Sequence, residues 1–316
     1  MSLKVLVTNE WIVGFVDALR RELPAVEFIV PDTEEQKLAA AADAEVALGS
    51  VTAELLAAAP RLKWVQSGSA GVEWIPPELA ATDIVVTNTR GAHAATIAEH
   101  AFGMLIALAR RFDDLRQAQR DKVWLRPAPQ PTVGLAGLTM GVIGLGNIGR
   151  AIAVRAHAFE MPVIAVDAHP VARPDHVAEL GLLDGLDDLL RRADVVAVAT
   201  PITDATRGML SAERLALLKP TAYLLGMSRG GIIDEAALVR MLREGALAGA
   251  GLDVTAVEPL PADSELWDAP NILISPHSSP TSARTGELVG TMIRRNLQRY
   301  LAGEPLENVV DKSLKY

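Results

Sequence analysis

The 316 residues carry 39 acidic against 30 basic side chains, a formal net charge of −9, and no cysteine. That balance argues against a nucleic-acid or anionic-membrane partner, and the lack of cysteine excludes disulfides, zinc–thiolate sites and thiol chemistry. Half of the residues are hydrophobic, as in an ordinary globular protein. The length predicts two domains. The chain shows no charged leader with an apolar core, and no apolar run long enough to cross a bilayer, so a cytoplasmic location is expected.

In chain order, KVLVT (4–8) predicts a strand and WIVGFVDALRRELP (11–24) a helix closed by Pro24. VEFIVP is a strand and EEQKLAAAAD a helix. AEVALGS is a strand, TAELLAAAP a helix with Thr52 as N-cap, and KWVQS a strand. Strand and helix alternating at this interval predict a parallel sheet covered on both faces. The first ninety or so residues therefore form a doubly wound unit of their own. After KWVQS comes Gly68-Ser69-Ala70-Gly71-Val72. A two-glycine loop at the carboxyl end of a strand can offer backbone N–H groups to an anion; its plain alternative is a turn before Pro76–Pro77.

IVVTNTRG then leads into an apolar helix from Ala94 to Arg111, of the kind that is buried or lies at a domain or subunit contact. The polar segment Asp113–Pro131, with Trp124 and the prolines Pro127, Pro129 and Pro131, reads as an excursion from the core. Trp124 is an anchor candidate for a dimer contact; the alternative is a surface loop with the ring tucked back.

LTMGVIGLGNIGRAIAVRAHAFEMPVIAVD (138–167) reads as strand, glycine turn, helix, strand. Gly144, Gly146 and Gly149 have the G-x-G-x-x-G spacing. The first permits the tight turn, the second close approach of a pyrophosphate, and the third close packing of helix on strand. Free N–H groups at the helix start favour a phosphate. Asp167 ends the second strand near the spacing of about 20 residues expected of the acid that bonds the ribose hydroxyls. A carboxylate there would repel a 2′-phosphate, which favours NAD over NADP, although His169 and Arg173 nearby soften the preference. The plain alternative is a turn with Asp167 as a helix cap.

Further on, LDDLLRRA predicts a helix, DVVAVAT a strand, AERLALLKP a helix and AYLLGMS a strand that stops at Arg229. DEAALVRMLREG is a helix, AGAGLDV a strand ending near Asp253, and NILISPH a buried strand ending at His277. A last amphipathic helix spans Ser282 to Leu301. Arg229, Glu258 and His277 thus stand at or just past strand ends, along the edge where a parallel sheet binds its ligand. Arginine matches a carboxylate with two parallel hydrogen bonds. Histidine exchanges a proton near neutral pH, and a neighbouring glutamate favours the imidazolium and orients the ring. With a nicotinamide, these groups suit hydride transfer to the carbonyl carbon of a 2-oxo acid while His277 protonates the oxygen, and Arg229 stabilises charge on that oxygen. Taken singly, each has a plain alternative: Arg229 in a surface turn, Glu258 as a loop acid, His277 as a satisfied loop histidine. His100 and His157 sit in helices and read as structural. No metal-binding cluster is predicted.

These motifs closely resemble the D-isomer-specific 2-hydroxyacid dehydrogenase family over nearly the whole chain. GVIGLGNIGRAIA resembles its cofactor turn and TPITDATRGML its threonine-rich signature. LKPTAYLLGMSRGGIIDEAAL resembles the segment of its substrate arginine, and GLDVTAVEPLPADSELWDAPNILISPH that of its glutamate and histidine. The resemblance implies an α/β fold of two doubly wound parallel-sheet domains. A Rossmann NAD-binding domain (94–279) is inserted into a flavodoxin-like substrate (catalytic) domain made of 1–93 and 280–316. It implies that Ala70 and Gly71 hold the substrate carboxylate and that Asn147 and Ile148 meet the pyrophosphate. Thr200, Pro201 and Thr206 would line the cofactor groove with Met227, Ser228, Arg229 and His277, and Asp253 would face the nicotinamide amide. It also implies a homodimer, with the 113–131 excursion lying on the partner.

Four positions depart from the family pattern. Gly226-Met227-Ser228 lacks the usual asparagine, Ser278-Ser279-Pro280 replaces a smaller turn, Arg90 stands for a proline, and Glu160 for a glycine at the end of the cofactor helix. None removes a catalytic group. By resemblance, Glu258 speaks against a formate dehydrogenase, whose histidine pairs with glutamine, and 316 residues leave no room for the regulatory domain of the long phosphoglycerate dehydrogenases. The expectation is an NAD-dependent reductase of a small 2-oxo acid such as glyoxylate or hydroxypyruvate. The alternative is an NAD(H)-binding redox sensor or corepressor with little turnover.

Overall fold

The computed structural model describes residues 2–126 and 131–312, and the chain divides into two compact units. One takes in the chain up to His93 and again from Ser282 onward; the other runs from Ala94 to Thr281. The second crossing therefore falls at the start of the last helix, slightly beyond the residue 279 expected. Pro127 and Pro129 lie outside the described residues.

In the first unit, strands β1 (Leu3–Val7), β2 (Val26–Ile29), β3 (Val46–Leu48), β4 (Trp64–Gln66) and β5 (Val85–Thr87) alternate with helices α1 (Glu10–Glu22), α2 (Glu34–Ala41), α3 (Ala53–Ala57) and α4 (Pro77–Ala80). All pairings are parallel, in the order β2-β1-β3-β4-β5, which is the flavodoxin-like order. Helices α1, α2 and α3 start at side-chain caps. Asn9 accepts the Trp11 N–H at 2.9 Å, Thr33 that of Gln36 at 3.2 Å and Thr52 that of Leu55 at 3.1 Å. Ile12, Val16 and Leu19 recur every three or four positions and bury one stripe of α1. The four-residue α4 begins at Pro77, in a segment where no helix is expected.

The second unit opens with α5 (Ala94–Ala109) and α6 (Phe112–Arg120). Its strands are β6 (Met140–Ile143), β7 (Val163–Asp167), β8 (Glu179–Leu182), β9 (Val195–Val198), β10 (Tyr223–Gly226), β11 (Gly249–Leu252) and β12 (Ile272–Ile274). Between them lie α7 (Asn147–Ala158), α8 (Leu186–Arg192), α9 (Ala212–Leu215) and α10 (Glu235–Arg243). The parallel order β12-β11-β10-β9-β6-β7-β8 reverses direction between β6 and β9. That reversal is the point where an open α/β sheet binds its ligand. Two apolar layers cover the faces; α5 supplies Ala98, Ala101 and Leu105 to the one it shares with α7.

Three expectations need correction. The 113–131 excursion begins as the helix α6, whose polar sequence buries no residue. The strand ending the unit stops at Ile274, not at His277, and is only half-buried because it lies at the sheet edge. β8 was not expected: its sequence ELGL is short, and its residues are exposed or half-buried. Glu160 ends α7 in the left-handed region at φ 59°, where a glycine would carry no Cβ penalty.

The chain then returns to the first unit as α11 (Ala283–Ala302). Ser282 caps it by accepting the Thr285 N–H at 3.0 Å. Val289, Ile293 and Leu297, four residues apart, are buried against α1 and β1. No described helix is long and apolar enough to cross a membrane.

Candidate active site

The glycine turn after β6 is built as the spacing requires. Gly144 sits at φ 91°, and a Cβ there would come within 2.9 Å of the Thr200 backbone. A Cβ on Gly149 would lie 1.9 Å from the Gly144 carbonyl oxygen, so only glycine lets α7 pack this close to the turn. Gly146 faces open space with nothing within 4 Å of its Cβ position. It is the N-cap of α7 and offers no side-chain cap. Among the described residues the N–H groups of Asn147 and Ile148 have no partner, as expected in the first turn of a helix. The helix dipole adds to their attraction for an anion. These residues fit the pyrophosphate of a dinucleotide: donors without partners, an open approach over Gly146, and an acid at the end of the next strand.

That acid, Asp167, accepts the Leu145 N–H at 2.7 Å through Oδ2 and the His169 N–H at 3.0 Å through Oδ1. It therefore ties the glycine turn to the end of β7, and each oxygen keeps acceptor capacity. On the other side of the reversal, Thr200 is buried and Pro201 exposed. Thr206 Oγ donates to the Pro201 carbonyl at 2.7 Å and accepts the Thr203 N–H at 2.7 Å, which closes the threonine-rich loop. Met227 and Ser228 are buried just beyond β10. The Ser228 hydroxyl is buried and has no partner among the described residues.

Arg229, Glu258 and His277 all belong to the second unit, three to six residues past the ends of β10, β11 and β12. The half-buried Arg229 donates from Nη1 to the Ser228 carbonyl at 2.8 Å. The next residue explains how its turn reaches the others: a Cβ on Gly230 would lie 1.8 Å from the Thr255 carbonyl oxygen. Glycine thus presses the arginine turn against the loop that carries Glu258. In that loop the Thr255 N–H donates to Glu258 Oε1 at 3.0 Å, and Glu258 Oε2 lies 2.8 Å from His277 Nδ1. A carboxylate only accepts, so Nδ1 carries the proton and Nε2 is the nitrogen left for exchange.

His277 has a left-handed backbone, φ 51°, and Asp253 holds it there. The His277 N–H donates to the Asp253 carbonyl at 2.8 Å. The buried Asp253 carboxylate accepts the Ser278 N–H at 2.9 Å and the Ser279 N–H at 3.1 Å. Asp253, the residue expected to face the nicotinamide amide, also clamps the histidine turn.

Ala70 and Gly71 lie in the first unit, in the loop after β4. Every carbonyl from Gly68 to Gly71 is tied back. Thr89 Oγ donates to Gly68 at 2.9 Å, the Thr89 N–H to Ser69 at 3.1 Å, Asn88 Nδ2 to Ala70 at 2.8 Å and Trp74 Nε1 to Gly71 at 3.1 Å. Among the described residues the Ala70 and Gly71 N–H groups have no partner. With its oxygens turned inward and two amides unpaired, the loop is arranged for an anion.

Comparison with known proteins accords with this geometry. Residues 102–279 match the D-isomer specific 2-hydroxyacid dehydrogenase, NAD binding domain. The chain belongs to the D-isomer specific 2-hydroxyacid dehydrogenase family. It is 37% identical over 264 residues to D-3-phosphoglycerate dehydrogenase of Mycobacterium leprae, an alignment that covers 83% of this chain and 49% of that protein. The chain thus spans about half the length of that relative. It is 36% identical over 270 residues to glyoxylate reductase of Korarchaeum cryptofilum, covering 84% of this chain and 80% of the other. A crystal structure of a D-isomer specific 2-hydroxyacid dehydrogenase from Xanthobacter autotrophicus, in complex with NADPH and MES, superposes with a TM-score of 0.84 at 29% identity, covering all of both chains.

Two side chains beside this family's motifs escape sequence reasoning. Glu235 Oε1 accepts the Ala256 N–H at 2.5 Å and braces the Glu258 loop from α10. Burial pushes its carboxyl above the usual range, the Ala256 N–H opposes that, and the charge of Glu258 adds to it. His100 on α5 lies 2.9 Å from the Ser275 hydroxyl. No sequence pattern links residues so far apart; only the sheet brings α5 to the end of β12.

Proposed function

We propose that this chain catalyses NAD(H)-dependent interconversion of a small 2-oxo acid and its D-2-hydroxy acid. The observation that carries the reading is the His277 Nδ1–Glu258 Oε2 hydrogen bond at 2.8 Å, in the unit that holds the glycine turn. A bound nicotinamide supplies or accepts the hydride. His277 gives a proton from Nε2 to the carbonyl oxygen in reduction and takes it from the hydroxyl in oxidation. Glu258, fixed by the Thr255 N–H, keeps the ring in one tautomer and one orientation. Arg229 presents a planar cation to the substrate carboxylate and to charge on the reacting oxygen. The paired amides of Ala70 and Gly71 are matched to a carboxylate as well. The substrate class is a short 2-oxo acid such as glyoxylate or hydroxypyruvate.

Asp167 at the end of β7 favours NAD, since a 2′-phosphate would meet its carboxylate. The active form is a homodimer in which α6 and the exposed Trp124 lie on a second copy; Phe112, Leu115 and Val123 are also exposed along this stretch. The test is oxidation of NADH with a panel of 2-oxo acids, beside Arg229→Ala. Turnover of at least one acid above that variant supports the reading. NADH binding without such turnover would instead identify a sensor.

A further inference from the structure

We propose that His100 is a positioning residue for His277, acting through a hydrogen-bond relay from α5 to the 275–279 turn. The inference rests on the assignment of His277 as the acid–base group. Its starting point is the direction of each bond. The Ser278 and Ser279 amides can only donate, so Asp253 is their acceptor. The Ser275 hydroxyl donates its one proton to Asp253 Oδ1 at 2.6 Å. Its oxygen is then an acceptor toward His100, so His100 Nε2 carries a proton across the 2.9 Å contact. His100 Nε2 itself lies 3.9 Å from Asp253 Oδ1.

This chain ends at the catalytic histidine. Asp253, 1% exposed, orients two successive amides that follow His277, and its carbonyl holds the His277 N–H. Rotation of the Asp253 carboxylate would release the turn whose left-handed backbone aims the ring at Glu258. Ser275 fixes one carboxylate oxygen, and His100 fixes the rotor of Ser275. His100 suits this task because its helix does not move with the turn: Ala98, Ala101 and Leu105 are buried in the core beside it. Its own ring is part-exposed, so replacing it opens no cavity.

The experiment compares wild type, His100→Leu, His100→Gln and Ser275→Ala as full chains, with NADH and the acid the panel finds best. A misaimed acid–base group loses rate without losing cofactor, so His100→Leu and Ser275→Ala should each lower kcat about 10- to 100-fold, while the Kd for NADH stays within about twofold. Gln places an amide N–H near the position of His Nε2–H, so His100→Gln should recover to within about threefold of wild type. The double variant His100→Leu/Ser275→Ala should be no slower than the worse single one, since both cut the same relay. Wild-type kcat in His100→Leu, equal loss in His100→Gln, or additive losses in the double variant would each overturn the relay. Two-bond 1H–15N correlations of the His277 ring separate this from failure of the functional reading. If wild type reduces no acid, that reading fails. The relay still stands if the single His277 tautomer of wild type and His100→Gln becomes a mixture in His100→Leu, and falls if the three spectra agree.

Discussion

At the scale of the residue, the proposed chemistry turns on which ring nitrogen of His277 holds a proton. The 2.8 Å contact to Glu258 assigns it to Nδ1, and the Thr255 N–H on the other carboxylate oxygen keeps the glutamate from turning away. Asp167 is a second case in which one side chain does two jobs. It fixes the glycine turn through Leu145 and, in the proposed function, meets the ribose of the dinucleotide. Asp167→Ala should therefore reduce the ratio of kcat/KM for NADH over NADPH by about tenfold, as loss of a charge-assisted hydrogen bond implies. Steady-state kinetics with both cofactors decide this, and an unaltered ratio would contradict the assignment. Arg229, Glu258 and His277 were candidates from the sequence because each follows an apolar strand, although β12 before His277 is only half-buried. His100 was not, because its partner Ser275 belongs to another element and nothing local distinguishes it from a structural helix histidine.

At the scale of the element, legibility followed burial. Strands β6, β9, β10 and β11 are buried along their whole length and read directly as apolar runs. The edge strand β8 (ELGL) and the polar helix α6 bury no residue, so hydrophobic periodicity had nothing to report. The strand expected to end at His277 stops at Ile274: Ser275-Pro276-His277 does not continue the apolar run, and the backbone turns so that the His277 N–H meets the Asp253 carbonyl. The last helix shows how a polar residue can fix an element. Asn296, 2% exposed, donates to Gln66 Oε1 at 2.8 Å and to the Glu307 carbonyl at 3.0 Å, and accepts the Glu307 N–H at 2.8 Å. Gln66 in turn accepts from Thr87, which accepts from Trp64 Nε1. Asn296→Ala strands these groups, and urea denaturation should show a loss of about 2 kcal/mol, the cost of burying unpaired polar atoms. A midpoint equal to wild type would mean that the network adds nothing to stability.

At the scale of the whole molecule, the first and last parts of the chain build one unit and the middle builds the other. Each sheet brings its strand ends, and the loops that hold the proposed site residues, to one of its own edges. The proposed dimer belongs to this scale. Trp124 is 89% exposed, so Trp124→Ser should leave each unit folded and raise the dimer dissociation constant about tenfold or more, as for loss of an aromatic anchor. Sedimentation equilibrium would show it; a monomeric wild type, or a variant that associates equally well, would contradict it. The account as a whole rests on His277 moving a proton. The most direct measurement is kcat of His277→Ala alongside its Kd for NADH. The prediction is a fall in kcat of about 100- to 10,000-fold, the contribution of general acid–base catalysis, with NADH affinity within about twofold of wild type. Undiminished turnover in His277→Ala would contradict it.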